Sequence, residues 1–343
     1  MSLTSDAEDQ AAEPSVYRLP KLVEREVLIL GAGFSIAVSP SFPTTDKLGT
    51  EATRIAHVAR RRLPAGGFKD GNFETWLSRL AEDQPYLSEA ENRENRFIFA
   101  KVTEAIVDIL RTRELAAFDQ QPRPWLYELI SLAHHRELTI VSLDYDTIVE
   151  VCVASFEMWS TEVARQVAID DVLERLPPPP SPLGGHVTSD WHVSYDGQTD
   201  VAPTLRLLKL HGSLDWHWSS GDWTGATLRR TTVGSRFGHP VDDPALRDRE
   251  APGLDPFIVP PTATKSEYYR NPLTRRLWRR AAAALRSADR IALLGYSLPQ
   301  ADLVMSGMLA GAIKGRAVTV EVVNPKPQVP VTSLERLGPG QSR

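Results

Sequence analysis

Val27-Leu28-Ile29-Leu30-Gly31-Ala32-Gly33-Phe34-Ser35 is the stretch that decides the fold. Four successive apolar residues suit a strand buried on both faces of a parallel sheet. Gly31 and Gly33 allow a sharp turn and a close neighbour, and the amides that follow can face a phosphate. As a dinucleotide fingerprint the pattern is incomplete. Ile36 stands where the third glycine of G-x-G-x-x-G would be, and no ribose-binding acid follows at the spacing of a dehydrogenase. Taken alone, the stretch also reads as a plain strand-to-helix turn with no ligand.

The same grammar recurs down the chain. Leu138 to Leu143 is an apolar run ending in Asp144-Tyr145-Asp146, and Leu205 to Leu210 leads to His211-Gly212-Ser213. Arg290 to Leu294 meets Gly295-Tyr296-Ser297, and Ala317 to Val323 ends at Asn324-Pro325. Helical spacing predicts helices over 46–62, 73–135, 148–168, 273–287 and 303–312. Residues 216–232, with Trp, Thr and Gly, read as hairpin or loop. Strands alternating with helices predict an α/β fold, a Rossmann-like parallel sheet with helices on both faces. Ligands of such sheets sit at the carboxyl ends of the strands. Each polar cluster above would lie on that edge.

Bulk properties narrow the class. The chain has 343 residues, 42% hydrophobic and 24% charged, with a formal net charge of −5, as in a soluble globular protein. That balance gives no general attraction to nucleic acid or to anionic membrane. The one cysteine, Cys152, leaves neither a disulfide framework nor a cysteine zinc site within the chain, which suits a cytoplasmic location. No apolar run reaches membrane-spanning length. The expected layout is a disordered tail at 1–20 and a Rossmann-like core at 21–72, 136–150 and 204–328. A helical insertion at 73–135, an irregular Pro/Gly-containing insertion at 151–203 and a polar tail at 329–343 complete it.

Together the motifs resemble the sirtuin-like NAD-binding family, with the bacterial sirtuin-domain NADases of anti-phage defence as the most similar branch. Gly31-Ala32-Gly33-Phe34-Ser35 with Phe42-Pro43-Thr44-Thr45 is similar to the family's first phosphate loop. Ser142-Leu143-Asp144-Tyr145-Asp146 is similar to its Asn-Tyr-Asp motif, and Lys209-Leu210-His211-Gly212-Ser213 to its catalytic His-Gly motif. Pro260-Pro261 with Lys265, and Gly295-Tyr296-Ser297-Leu298-Pro299 with Asp302, resemble two further elements of the bacterial branch. Asn324 takes the place of the adenosine-ribose loop. Two departures stand out. The four-cysteine zinc module of the deacylases is missing, and the helical stretch 73–135 and the insertion 151–203 stand where the smaller domain should be, which favours hydrolysis of NAD over deacylation. The family's active-site asparagine is replaced by Asp144, a side chain of nearly the same shape that cannot donate when ionised.

The resemblance implies catalysis by His211 and Asp144. It implies cofactor binding by Gly31, Ala32, Gly33, Phe34, Ser35, Thr44, Thr45, Gly295, Ser297 and Asn324, with NAD as the substrate and no zinc. Cleaving the nicotinamide–ribose bond builds an oxocarbenium-like charge on the ribose. A histidine whose pKa lies near neutrality can take a proton from a ribose hydroxyl or from water. Asp144 can serve as base or ribose acceptor, or mark a site that binds NAD and turns it over slowly. Ser35, Ser297, Thr44 and Thr45 read equally as helix caps. Asn324 reads as a ribose contact or as a turn, and Lys265 as a site residue or a solvated cation. Arg275, Arg276, Arg279 and Arg280 read as a solvated helix face. The implied activity is that of a regulated defence effector, held off until a homo-oligomer or a separately encoded partner such as a short Argonaute or a helicase-like ATPase activates it. The alternative is a non-catalytic sensor of NAD or ADP-ribose.

Overall fold

The computed structural model describes residues 25–155, 159–160, 165–166, 205–231, 234–263, 265, 268–299 and 302–337. The tail at 1–20, nearly all of the insertion at 151–203 and the last six residues lie outside them. In chain order the first elements are β1 (Glu26–Leu30), α1 (Ala32–Val38), α2 (Thr45–Ile55), α3 (Asn72–Ala81), α4 (Glu89–Phe118) and α5 (Pro124–His135). Next come β2 (Thr139–Ser142), α6 (Ile148–Ser155), β3 (Trp159–Ser160), β4 (Arg165–Gln166), β5 (Arg206–Lys209), β6 (Gly212–Trp218) and β7 (Arg229–Arg230). The chain finishes with α7 (Pro244–Glu250), β8 (Asp255–Ile258), α8 (Pro272–Ser287), β9 (Arg290–Leu294), α9 (Leu303–Ile313), β10 (Thr319–Val323) and α10 (Gln328–Leu337).

The central sheet has five strands in the order β10-β9-β1-β2-β5, every pair parallel. It is the α/β sheet expected from the sequence. Side chains of successive strand residues point to opposite faces, and both faces are covered. Leu28, Leu30, Ile140 and Leu207 pack with Phe34, Leu48, Phe73, Ile106 and Ile148. Val27, Ile29, Val141, Leu208, Ile291 and Leu293 pack against Leu277, Leu309 and Leu334. Each such side chain contributes about 1.5–3 kcal/mol by leaving water. This is why the strands read as unbroken apolar runs rather than as alternating ones.

Register places the site. Leu30 aligns with Ser142 and Leu294, Ser142 with Lys209, and Leu294 with Val323. The residues that follow, at Gly31, Leu143, Leu210, Gly295 and Asn324, therefore leave the sheet along one edge. After β1 the chain builds outward through β2 and β5, then returns to β1's other side for β9 and β10. The topological switch lies between β1 and β9. A second, antiparallel sheet, β7-β6-β8, grows directly from the His211-Gly212 turn, which resolves the 216–232 hairpin-or-loop reading as a hairpin.

Four expectations are corrected. The helix read over 46–62 stops at Ile55, because His57 takes a left-handed φ of 51° and breaks the ladder. The helical stretch 73–135, expected to break at Pro122 and Pro124 and resume at Trp125, is three helices, with a further break between Ala81 and Glu89. Ser88 and Glu91 form a reciprocal capping box that starts α4, and Pro124 starts α5. The helix read over 148–168 ends at Ser155, where its apolar run gives out, and the antiparallel pair β3-β4 follows. The polar tail read from 329 onward contains α10, which buries Pro330 and Leu334, four residues apart on one face, while Thr332 and Glu335 are exposed.

The helical insertion docks through a buried carboxyl. Glu114 of α4 accepts hydrogen bonds from the Thr147 amide and hydroxyl at the start of α6. Burial raises the Glu114 pKa from 4.5 to about 8, against the lowering pull of the Thr147 hydrogen bonds. The folded protein therefore keeps a proton that the unfolded chain gives up. The contribution of this group to stability is greatest below pH 4.5 and declines as pH rises to about 8. Glu114→Gln is expected to flatten that decline. Urea unfolding of variant and wild type, compared at about pH 5 and about pH 8.5, checks it.

Candidate active site

A buried lysine brings the second and third strand-end clusters together. Lys209, at the last position of β5, is 2% exposed. A lysine inside an apolar strand must be paired, and this one is. Its ammonium donates to the carbonyls of Tyr145 and Asp146, to Glu150 Oε1 at 3.1 Å and to Ser213 Oγ at 2.6 Å. The loop 144–146 is thereby clamped onto the strand that carries His211. Asp146 reinforces it, accepting from Ser35 Oγ at 2.6 Å and from the Ile148 amide at 3.2 Å. Three of the expected motifs, at Ser35, at Asp144 to Asp146 and at Lys209 to Ser213, thus share one hydrogen-bonded network.

His211 stands above this clamp, 6% exposed. Its Nδ1 lies 3.2 Å from the Leu143 carbonyl and its Nε2 lies 3.2 Å from Lys265 Nζ. Tyr145 and Trp278 flank the ring, with centroids 6.4 and 6.3 Å away. Burial, then the Lys265 ammonium, drives the His211 pKa from 6.5 to about 3. Asp144 is 8% exposed, and burial together with neighbouring Asp146 raises its pKa well above 3.8. The imidazole is held neutral, and the carboxyl is pushed toward its neutral form.

Lys265 is no solvated cation. It is 8% exposed and lies 3.7 Å from Asp302 Oδ1. Asp302 in turn accepts from Tyr296 OH at 3.0 Å. Glu74, on α3 of the helical insertion, faces this group. Burial raises its pKa, and Lys265 draws it back down. Asp144 Oδ2, Tyr269 OH and Trp278 Nε1 are shielded from solvent and have no hydrogen-bond partner among the described residues. Buried polar atoms are nearly always satisfied. Two of the three, Trp278 Nε1 and Tyr269 OH, belong to the edge-to-face ring pair beside His211, and such donors suit a ligand with polar groups.

The glycines have a packing reason of their own. A Cβ on Gly33 would sit 2.7 Å from the Gly295 backbone, and one on Gly31 would sit 2.9 Å from Tyr296. Gly295 itself has a φ of 66°. The amides of Gly31 and Gly33 donate to the carbonyls of Leu294 and Gly295 at 3.1 and 3.0 Å, and the Phe34 amide donates to Gly31. The amides the sequence offers to a phosphate at Gly31, Gly33 and Phe34 are therefore engaged within the protein. Ala32 opens α1 beside them.

The remaining expected contacts are less gathered. Thr44 is the N-cap of α2 but makes no side-chain capping bond, and Thr45 is half-buried in the first turn. Ser297 is exposed. Asn324 accepts from the Lys326 amide at 2.9 Å, an Asx turn. Arg275, Arg276 and Arg279 are exposed on α8. Trp216 and Trp218 are core residues that pack on Phe257, while Trp191 lies outside the described residues. A cavity of about 80 Å³ lined by Arg111, Thr147, Asp215 and Ser235 lies apart from His211.

Sequence reasoning passed over Lys209, Glu74, Tyr269 and Trp278. The signal for Lys209 was present, as the one charge in Leu205 to Leu210 after the half-buried Arg206. The others join the site only through tertiary contacts.

Among the described residues no group of His, Cys, Asp and Glu is placed to hold a metal ion, and no helix is long and apolar enough to cross a membrane. No family model and no curated protein matches the sequence. Among solved structures, the chain is similar to one from a study of the mechanism and regulation of Sir2 enzymes. The identity is 11%, the TM-score is 0.37, and 92% of each chain is covered.

The clamp makes a direct prediction. Lys209→Met leaves Glu150 and two carbonyls buried without their cation, and should cost about 3–5 kcal/mol of folding stability. Chemical denaturation measures it. A loss below about 1 kcal/mol, the value of an exposed pair, would contradict the clamp.

Proposed function

We propose that the chain is a sirtuin-like NAD⁺ glycohydrolase that splits the nicotinamide–ribose bond to give nicotinamide and ADP-ribose. The observation that carries this reading is buried His211 at the carboxyl edge of a parallel sheet, where α/β sheets take their ligands, with Lys265 and Asp302 next to it and the unpartnered atoms of Trp278 and Tyr269 on one side of its ring. The motif resemblance supplies the dinucleotide. Gly31 to Ser35, Thr44, Thr45, Gly295, Ser297 and Asn324 are proposed to receive its phosphates and riboses.

The reaction breaks the C1′–N bond with its electron pair going to nicotinamide. Water's oxygen then bonds C1′ and one proton is released. His211 takes the role of base once a ligand has displaced Lys265; with the pKa pushed down to about 3 and not near neutrality as expected, it is a weak base in the ligand-free site. A neutral imidazole whose Nδ1–H is fixed on the Leu143 carbonyl offers only Nε2 as acceptor. Asp144 suits the ribose. Burial and Asp146 raise its pKa, which favours the protonated form that carries one O–H donor and a carbonyl acceptor. The aromatic wall of Tyr145, Trp278 and Tyr269 keeps bulk water from the reacting carbon. Such an activity would drain NAD if unrestrained, so a regulated defence role in the cytoplasm, with a second copy or a separately encoded sensor as activator, is part of the proposal.

The second reading is a sensor that binds NAD or ADP-ribose without turnover. Asp144 in place of the family's asparagine favours it, as does a His211 pushed by burial to a pKa of about 3, which makes it a weak base.

One assay separates the two. Purified protein is given NAD⁺, and nicotinamide release is followed by chromatography. His211→Ala is expected to reduce release about a thousandfold. Asp144→Asn should keep activity within about tenfold, and Asp144→Ala should lose about a hundredfold. Calorimetric NAD⁺ binding with no release by wild type or Asp144→Asn would establish the sensor instead.

A further inference from the structure

The proton inventory around His211 fixes its hydrogen bonds. The Leu143 carbonyl can only accept, so Nδ1 carries the proton and donates. The Lys265 ammonium can only donate, so Nε2 accepts from it. The one lone pair that can act as a base is therefore already occupied. A second seat for the ammonium lies close by, since Asp302 Oδ1 is 3.7 Å from Lys265 Nζ. Closing that gap to the charge-assisted range near 2.8 Å needs a movement of about 1 Å. Lysine's flexible stem permits this.

The groups facing this ammonium come from every side. His211 follows β5, Asp302 caps α9 and Glu74 sits on α3. Tyr296 holds the far oxygen of Asp302 at 3.0 Å, which fixes the second seat. The rings of Tyr145, Trp278 and Tyr269 close the remainder. Asp144, behind Leu143, faces Asp146 and Lys209.

We propose that Lys265 is a two-seat positioning residue that masks His211 in the ligand-free protein and unmasks it by moving to Asp302. The proposal rests on the glycohydrolase reading for what displaces the lysine, namely a ribose hydroxyl of NAD⁺ taking its place on Nε2. Seated on His211, Lys265 blocks the base. Seated on Asp302, it leaves Nε2 open while its charge is balanced.

The test uses full-length protein with ¹⁵N-labelled histidine, the His211 signals being assigned with His211→Gln. Wild type without ligand should show the Nδ1–H tautomer with a hydrogen-bonded Nε2. Lys265→Met should move Nε2 to the position of an unbonded lone pair and raise the His211 pKa by about one unit or more, because a nearby cation is lost. Lys265→Arg, which keeps the charge, should hold the pKa low. With NAD⁺, Asp302→Asn should cut kcat by about tenfold with Kd unchanged, since the lysine has lost its second seat. Identical His211 signals and titration in wild type and Lys265→Met would overturn the proposal. So would an Asp302→Asn defect confined to Kd. The ligand-free spectra judge the mask without any turnover. A protein that releases no nicotinamide yet shows the Lys265-dependent Nε2 signal would refute the glycohydrolase reading while upholding the mask.

Discussion

The buried ammonium of Lys209 is the constraint on which the site depends. Two segments far apart in sequence, 144–146 and 209–213, leave neighbouring strands and stay in contact beyond the sheet, where the ladder thins to a bond from the Leu214 amide to the Tyr145 carbonyl at 2.9 Å. Backbone carbonyls that turn inward there need donors, because an unmet buried acceptor costs about 1–3 kcal/mol. Lys209 supplies them to Tyr145 and Asp146 and is itself neutralised by Glu150. Burial lowers its pKa, and Glu150 with Asp215 and Asp146 more than restores it. The cation thus persists inside the protein because the site is built around it. His211 and Asp144 keep their relative placement as a consequence.

Much of this arrangement was legible in the sequence, for a physical reason. A parallel strand buried on both faces is mostly apolar, so Val27 to Leu30 and Ile140 to Val141 announce themselves. The polar residue ending each run marks where the chain leaves the sheet. Parallel register then forces all those endings onto one edge, and Gly31, Asp144, His211, Gly295 and Asn324 could be gathered with no knowledge of their contacts. Local chemistry was less legible. The burial of Lys265 follows from α3, α9 and the loop after β8 closing together, and none of them signals this alone. The end of α2 turns on one left-handed residue, His57, which composition does not reveal. Residues 328–337 look polar because a helix needs only a narrow apolar stripe to dock. Leu334 provides it.

The electrostatics of the site follow from closure. Where water is excluded, each ionisable group must be neutral or paired. His211 is pushed down, Asp144 and Glu74 are pushed up, and Lys265 lies between a lone pair and a carboxylate. Burial is the largest cause of each of these three shifts, with Lys265 adding to that of His211 and Asp146 to that of Asp144.

The two sides of the crevice differ in how they are held. Between β1 and β9 the contact is backbone on backbone. Gly33 lies against Gly295 so closely that neither tolerates a Cβ, and two amide–carbonyl bonds tie the turns together. Separating them would break those bonds and pull apart the turns at the ends of two core strands. Across from them, the loop after β8 starts with the Val259 amide on the His211 carbonyl at 2.8 Å and the Tyr145 hydroxyl on the Val259 carbonyl at 2.7 Å. Further along, Lys265 meets His211 Nε2 and the Ala263 amide donates to Ser78 on α3. The glycine side is the one tied by backbone close-packing as well as by hydrogen bonds. This gives Gly31, Gly33 and Gly295 a structural duty that holds whether or not their amides ever meet a phosphate.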